Sequence, residues 1–261
     1  MPRILVAGGT GALGSDLVAR LKNSDYQVRV LSRQPAPADT SIEWAQGDTI
    51  TGEGLDAALA GVDVVANCTG NPRDAYQTDV LGVKRLAEMS KSAKIPHFFH
   101  ISIVGIEHFD VPFYRNKVEA ETAIINSGAP YSILRVVQFH GLLHVALSKI
   151  EAVPEGYALP IAPDAHFQTI DTHDVADYML PLLANPAGRL TDLGGPEILR
   201  VADMARTYLA ARGVENPTFV ASPNKFFSPS AEDAYRQGVN TVPSNRYGKI
   251  TWADYVRARR Q

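Results

Sequence analysis

Short apolar runs alternate with longer stretches whose apolar positions recur every three or four residues, and this rhythm holds to about residue 136. The short runs fall at 4–7, 28–31, 42–45, 62–66, 98–101 and 131–134. They predict six strands, most of them apolar enough to be covered on both faces. Between them, residues 13–21, 55–59, 80–89 and 118–125 carry apolar positions at helical spacing. Strand and helix in alternation predict βαβ units. Right-handed crossovers fold such units into an α/β, doubly wound parallel sheet with helices on both faces.

After residue 136 the rhythm breaks. Residues 137–169 are richer in proline and histidine and show no clear period, whereas the run THDVAD at 172–177 predicts a return to a capped helix. The expected organisation is a sheet core over 1–136, rejoined by 170–190, and a smaller lobe made of 137–169 and 190–261. The two interleave, so no clean linker is expected, and no internal repeat or low-complexity tract is present.

Composition narrows the classes of function. With 261 residues and 45% hydrophobic content the chain can bury a substantial core. Its formal charge of −3, from 25 basic and 28 acidic residues, is spread without a basic stripe, so nucleic acid is not an expected partner. The cluster Arg257, Arg259, Arg260 reads as a solvated helix end. The single cysteine, Cys68, excludes an internal disulfide and fits a reducing compartment. The N-terminal apolar run is too short for a signal core, and nothing reaches the roughly 18 apolar residues of a membrane span. A soluble, cytoplasmic protein that does not engage a membrane is the expectation. Whether it is a homo-oligomer stays open, since aromatic pairs such as Phe226-Phe227 serve a core, a partner or a substrate, most often a core.

The strongest chemical signal is GGTGALG at 8–14, set between the first strand and the first helix. Glycines at 8, 11 and 14 suit a tight turn, close approach of backbone to a pyrophosphate, and close packing of helix on strand. The helix start there offers free N–H groups and positive potential, bringing Thr10, Ala12 and Leu13 into the candidate site. The second strand ends in Leu31-Ser32-Arg33. An acidic residue in that place would bind the ribose 2′-hydroxyl of NAD, whereas a guanidinium suits a 2′-phosphate. Ser32 and Arg33 therefore favour NADP(H) over NAD(H), the plainer alternative being one more surface arginine. Gly47-Asp48-Thr49 and Cys68-Thr69-Gly70 follow the third and fourth strands, on the edge where open α/β sheets bind ligands.

These features, with HFFHISIVGI at 97–106, YRNKVEAE at 114–121, LRVVQFHG at 134–141, IDTHDVADYM at 170–179 and LGGPE at 193–197, make the chain resemble the short-chain dehydrogenase/reductases. Within them it is most similar to the atypical, NmrA-like NAD(P)H-binding branch. The resemblance covers nearly the whole length. It implies a Rossmann-type core binding NAD(P)H, a C-terminal lobe over the substrate, and Gln138 and Phe139 as a wall beside the nicotinamide.

In active members of the wider family, a serine, a tyrosine and a lysine four residues after it act together. The resemblance places the serine at Ser102 and the lysine, which also binds nicotinamide ribose, at Lys117. The tyrosine position is Phe113, which donates no proton. Tyr114 lies three residues before Lys117, on a neighbouring helical position turned by about 100°. It is the first substitute, against a packed or surface tyrosine. His140 is the second, with an unperturbed pKa near 6.5, against a structural histidine. His140 and His144, four apart, have no carboxylate or cysteine at fitting spacing, and His97/His100 and His166/His173 form no ligand set, so no metal site is expected. Two functions remain open: an NAD(P)H-dependent oxidoreductase acting on a small carbonyl, quinone or conjugated substrate, and a non-catalytic sensor of NADP(H).

Overall fold

The computed structural model describes residues 1–37, 42–71 and 73–259; Arg260 lies outside the described residues. Packing divides the chain into two compact units. Met1–Ser102, Pro112–Arg135 and Val175–Thr191 make the first; Ile103–Val111, Val136–Asp174 and Asp192–Gln261 make the second.

The first unit contains β1 (Arg3–Ala7), α1 (Ala12–Leu21), β2 (Gln27–Ser32), β3 (Glu43–Gln46), α2 (Leu55–Leu59), β4 (Val64–Asn67), α3 (Val83–Ser92), β5 (His97–Ile103), α4 (Pro112–Ser127) and β6 (Tyr131–Val136). Their order across the sheet is β3-β2-β1-β4-β5-β6, the doubly wound arrangement in which the chain reverses direction on either side of β1. The sheet has seven strands, where periodicity predicts six. The added edge strand, Gly188–Arg189, pairs in parallel with β6 through Gly188 and Ser132. Two residues are too few to show an alternation, and the pairing depends on a partner more than 50 residues away in sequence.

Leu5 of β1, Val65 of β4, Phe98 of β5 and Ile133 of β6 share one buried cluster with Leu55, Leu59, Leu86 and Ile124 of α2, α3 and α4. Each such side chain contributes about 1.5–3 kcal/mol when fully buried. The helix α1 packs on β1 and β2 and is met by the turn Leu180–Leu183. Two buried arginines fix helices to strands. Arg29 of β2 donates to the carbonyls of Ala58 and Ala60 at 2.6 and 2.9 Å, satisfying the end of the five-residue α2. Arg135 of β6 grips Glu121 of α4 with two parallel hydrogen bonds of 2.7 and 2.8 Å, a geometry matched to a carboxylate.

The second unit includes the short helical turn Ile106–His108 and then α5 (His140–Leu147). A small mixed sheet follows, in which Gly156–Leu159 pairs antiparallel with Glu151–Val153 and parallel with Phe219–Ala221. Helices Val201–Ala210, Pro229–Arg236 and Trp252–Ala258 complete it. Phe227 packs on Tyr235 and Phe167, with Phe226 edge-on to it, so the half-buried Phe226-Phe227 pair lies against the core of this unit. Arg257 pairs with Asp254 at 3.1 Å and Arg259 lies over Tyr255, as befits a helix end. The helix expected near 172–177 runs Thr172–Met179, and Asp171 ahead of it accepts the His173 N–H at 2.9 Å. No helix among the described residues is long and apolar enough to cross a membrane.

Candidate functional site

The glycine turn is held by sterics that only glycine meets. Gly8 has φ of 78°, and a Cβ on it would come 2.7 Å from the Cys68 carbonyl oxygen. A Cβ on Gly14 would lie 2.1 Å from the Gly8 oxygen. The turn closes through Gly11 N–H donating to Gly8 O at 2.9 Å, and α1 starts immediately with no side-chain cap and no acidic residue in its first turn. The first N–H groups of α1 and its positive end are therefore left for an anion. Leu13 and Gly14 are buried, and their side of the helix serves packing. Ala12 is exposed at the helix start.

Around this turn lies a cleft of about 450 Å³, within the usual range for small-molecule sites. It brings together Gly8, Thr10, Gly11, Ser32, Arg33, Gly47, Asp48, Thr49, Cys68, Thr69 and Gly70 from the ends of four strands. Leu31, Gln34, Ile50, Asn71 and Thr78 also line it and were not apparent from motifs. Arg33 is exposed, and its guanidinium has no acidic partner among the described residues. Asp48 shapes its own loop, its Oδ1 accepting the Ile50 N–H at 2.7 Å. On the far side of the turn, Asn67 accepts from both the N–H and the hydroxyl of Thr69. Cys68 is only partly exposed, and burial pushes its thiol up to about 12.

Below the Cys68-Thr69-Gly70 loop lies a buried polar group. Lys117 of α4 makes an ion pair with Asp79 at 3.0 Å, the side chains being 7% and 1% exposed. Asp79 belongs to a π-helical run, Tyr76–Gly82, that leads into α3. Burial raises its carboxyl, and Lys117 lowers it in part. Asn67 Nδ2 donates to His100 Nδ1 at 3.0 Å, which leaves the proton of a neutral ring on Nε2. Burial, with Lys117 nearby, lowers His100 to about 3, so this ring stays neutral. Neither His100 Nε2 nor the Ser102 hydroxyl, two residues along the same strand, has a hydrogen-bond partner among the described residues.

Phe113 and Lys117 stand together on α4, the ammonium 5.5 Å from the ring centroid. Tyr114 is buried and meets Phe113 edge-on at 5.3 Å. Sequence reasoning missed Asp79, whose signal would have been a lone carboxylate between apolar positions of a helical stretch.

Gln138, Phe139 and His140 belong to the second unit. Gln138 is buried, its Oε1 accepting from Asn240 at 3.3 Å. Phe139 precedes α5 as its N-cap residue. His140 as proton donor is corrected: it is 1% exposed, with one ring nitrogen on the Thr169 hydroxyl at 2.7 Å and the other on the Ile250 carbonyl at 3.0 Å. Trp252 and Tyr255 pack against its ring, and burial lowers its pKa. A neutral ring with both nitrogens used by the protein has no proton to give.

Comparison with known proteins matches residues 2–193 to the NmrA-like family. A photosystem II assembly factor from Trieres chinensis is 31% identical over 205 residues, which cover 74% of this chain and 63% of that protein. A (4-alkanoyl-5-oxo-2,5-dihydrofuran-3-yl)methyl phosphate reductase from Streptomyces griseus is 29% identical over 204 residues, covering 75% of this chain and 69% of that protein. The chain thus spans less than two thirds of the assembly factor's length. Among solved structures, an NADPH-dependent quinone oxidoreductase from Escherichia coli, complexed with NADPH, matches with a TM-score of 0.77 over 97% of this chain and 98% of that one. At 16% identity, this likeness speaks for the fold alone.

Proposed function

The chain belongs to the NmrA-like family, within the short-chain dehydrogenase/reductase superfamily of NAD(P)-binding Rossmann folds, and on that premise we propose that it is an NADPH-dependent reductase of a small carbonyl, quinone or conjugated substrate. The observation that carries this reading is the cleft around the glycine turn with Arg33 on its edge. The turn and the open start of α1 hold the pyrophosphate, and Arg33 takes a 2′-phosphate through charge and paired donors. Bound there, the cofactor supplies a hydride. The protein's part is to bind and orient it, which itself lowers the barrier.

Protonation separates the substrate types. Phe113 has no proton to give, so a carbonyl oxygen takes its proton from Tyr114, whereas a reduced quinone oxygen takes it from water. Ser102, whose hydroxyl has no hydrogen-bond partner among the described residues, is the donor that orients the substrate oxygen. The reductase from Streptomyces griseus supports a conjugated substrate class.

The test is turnover of a panel of quinones and aldehydes, followed by loss of reduced-cofactor absorbance. Tyr114→Phe is expected to lower aldehyde reduction by about 10²–10⁴-fold, the usual share of a general acid, and to leave quinone reduction nearly unchanged. Binding of NADPH with no turnover of any panel member would overturn the reductase reading. That result is what the second reading predicts. In it the cleft senses NADP(H) and reports to a protein partner, and it is favoured by Phe113 at the tyrosine position and by the assembly-factor relative.

A further inference from the structure

The strand β2 ends at Ser32, yet its neighbour β3 goes on holding the chain beyond that point. In their parallel register, Trp44 stands opposite Val30 and Gln46 opposite Ser32. Both side chains leave the same face of β3. Past the last rung, the Gly47 N–H donates to the Ser32 carbonyl at 2.9 Å, Gln46 Nε2 to the Arg33 carbonyl at 3.2 Å, and Trp44 Nε1 to the Gln34 carbonyl at 2.9 Å. The Gln34 N–H donates to Ser32 Oγ at 3.0 Å.

These contacts set the path of the chain. An extended strand would carry Gln34 about 13 Å beyond Val30, the partner of Trp44, which is farther than an indole reaches. The chain instead bends at Arg33 and Gln34 and turns back towards β3. Arg33 lies within the bend, and its own carbonyl and those of both its neighbours are hydrogen-bonded. Its side chain therefore leaves from a fixed root on the wall of the cleft. A guanidinium grips a phosphate through paired donors, so where the side chain starts decides whether both donors reach. Trp44 and Gln46 do not line the cleft themselves.

We propose that Trp44 and Gln46 are positioning residues for cofactor choice: by holding the carbonyls of Gln34 and Arg33 they keep the Arg33 guanidinium at the 2′-phosphate of NADPH. This rests on the reading of Arg33 as the phosphate-binding residue. Freed from either contact, the bend samples other paths, and affinity for the phosphate falls with the fraction of molecules that hold the competent one. NADH lacks the phosphate and does not register the change.

The experiment is calorimetric titration of the full chain with NADPH and with NADH. The wild type is compared with Trp44→Phe and Gln46→Met, and each change is repeated in an Arg33→Ala background. Trp44→Phe removes the indole N–H and keeps a ring on the strand; Gln46 is exposed, so Gln46→Met carries the test if the tryptophan variant fails to fold. Each change is expected to weaken NADPH by about 3–10-fold, the scale of one hydrogen bond, and to leave NADH within about twofold. With Arg33 already alanine, neither is expected to alter NADPH binding further, because the route runs through the guanidinium. The proposal is overturned if the folded variants bind NADPH as the wild type does, if NADPH and NADH weaken together, or if the loss persists without the guanidinium. A wild-type chain that binds NADPH no more tightly than NADH overturns the Arg33 reading itself, and the proposal with it.

Discussion

Arg33→Ala is expected to weaken NADPH binding by about 10–100-fold while leaving NADH within about twofold, from the roughly 1.5–3 kcal/mol of a hydrogen bond to a charged group. The guanidinium is the cleft's charged donor on the β2 side, exposed and without an acidic partner among the described residues. It is therefore available to a phosphate without first breaking an ion pair. Exposure also means screening, so the preference for NADPH should shrink between low and high salt. Arg33→Asp is expected to invert it, since a carboxylate there accepts from a ribose 2′-hydroxyl and repels a 2′-phosphate. Titrating both cofactors against the three proteins decides the matter. Equal losses for NADPH and NADH in Arg33→Ala would mean that the side chain shapes the loop and does not read the phosphate.

Gly14→Ala is expected to damage both stability and binding with a single added methyl. The added carbon would sit 2.1 Å from the Gly8 oxygen and 2.8 Å from the Gly9 Cα, both backbone atoms that cannot rotate away. Relief requires α1 to move off the turn, which opens the packing of Leu17 and Leu21 against the sheet. Overpacking of this kind costs about 1–3 kcal/mol or more, and about 3 kcal/mol corresponds to a fall in Tm of roughly 6–12 °C in a protein of this size. Because the same movement spoils the anion site, NADPH affinity should fall by at least about 100-fold. Gly213→Ala provides the comparison: φ is 82° there, but a Cβ meets nothing within 4 Å, so only the backbone strain of about 1–2 kcal/mol remains. Thermal melts and NADPH titration of the two variants separate steric from conformational cost. Gly14→Ala with wild-type affinity would remove the turn from the binding site.

Much of the first unit is legible in sequence because its rules are local. A glycine turn between a strand and a helix carries its geometry in seven residues, and strands buried on both faces announce themselves as apolar runs. The edge strand Gly188–Arg189 escapes because its pairing is its only signal. His140 shows why chemistry is harder to read than fold. Its partners Thr169 and Ile250 lie 29 and 110 residues away, and only they separate a structural ring from a proton donor. Asp79 is the converse case. In sequence it is an ordinary acid on an amphipathic stretch, and its meaning comes from Lys117, 38 positions later, arriving on another helix. At Phe113 the absence of a hydroxyl needs no structure to recognise.

For the reductase proposed above, the state of Cys68 bears on the choice of substrate. Quinones and conjugated carbonyls are electrophiles that add to thiolates, and a reductase that concentrates them near a reactive sulfur would be arylated by its own substrate. Here the single thiol of the chain is kept protonated through the neutral range by burial, and a thiol is a far weaker nucleophile than its anion. The cleft therefore places a sulfur beside its ligand without offering a nucleophile to it.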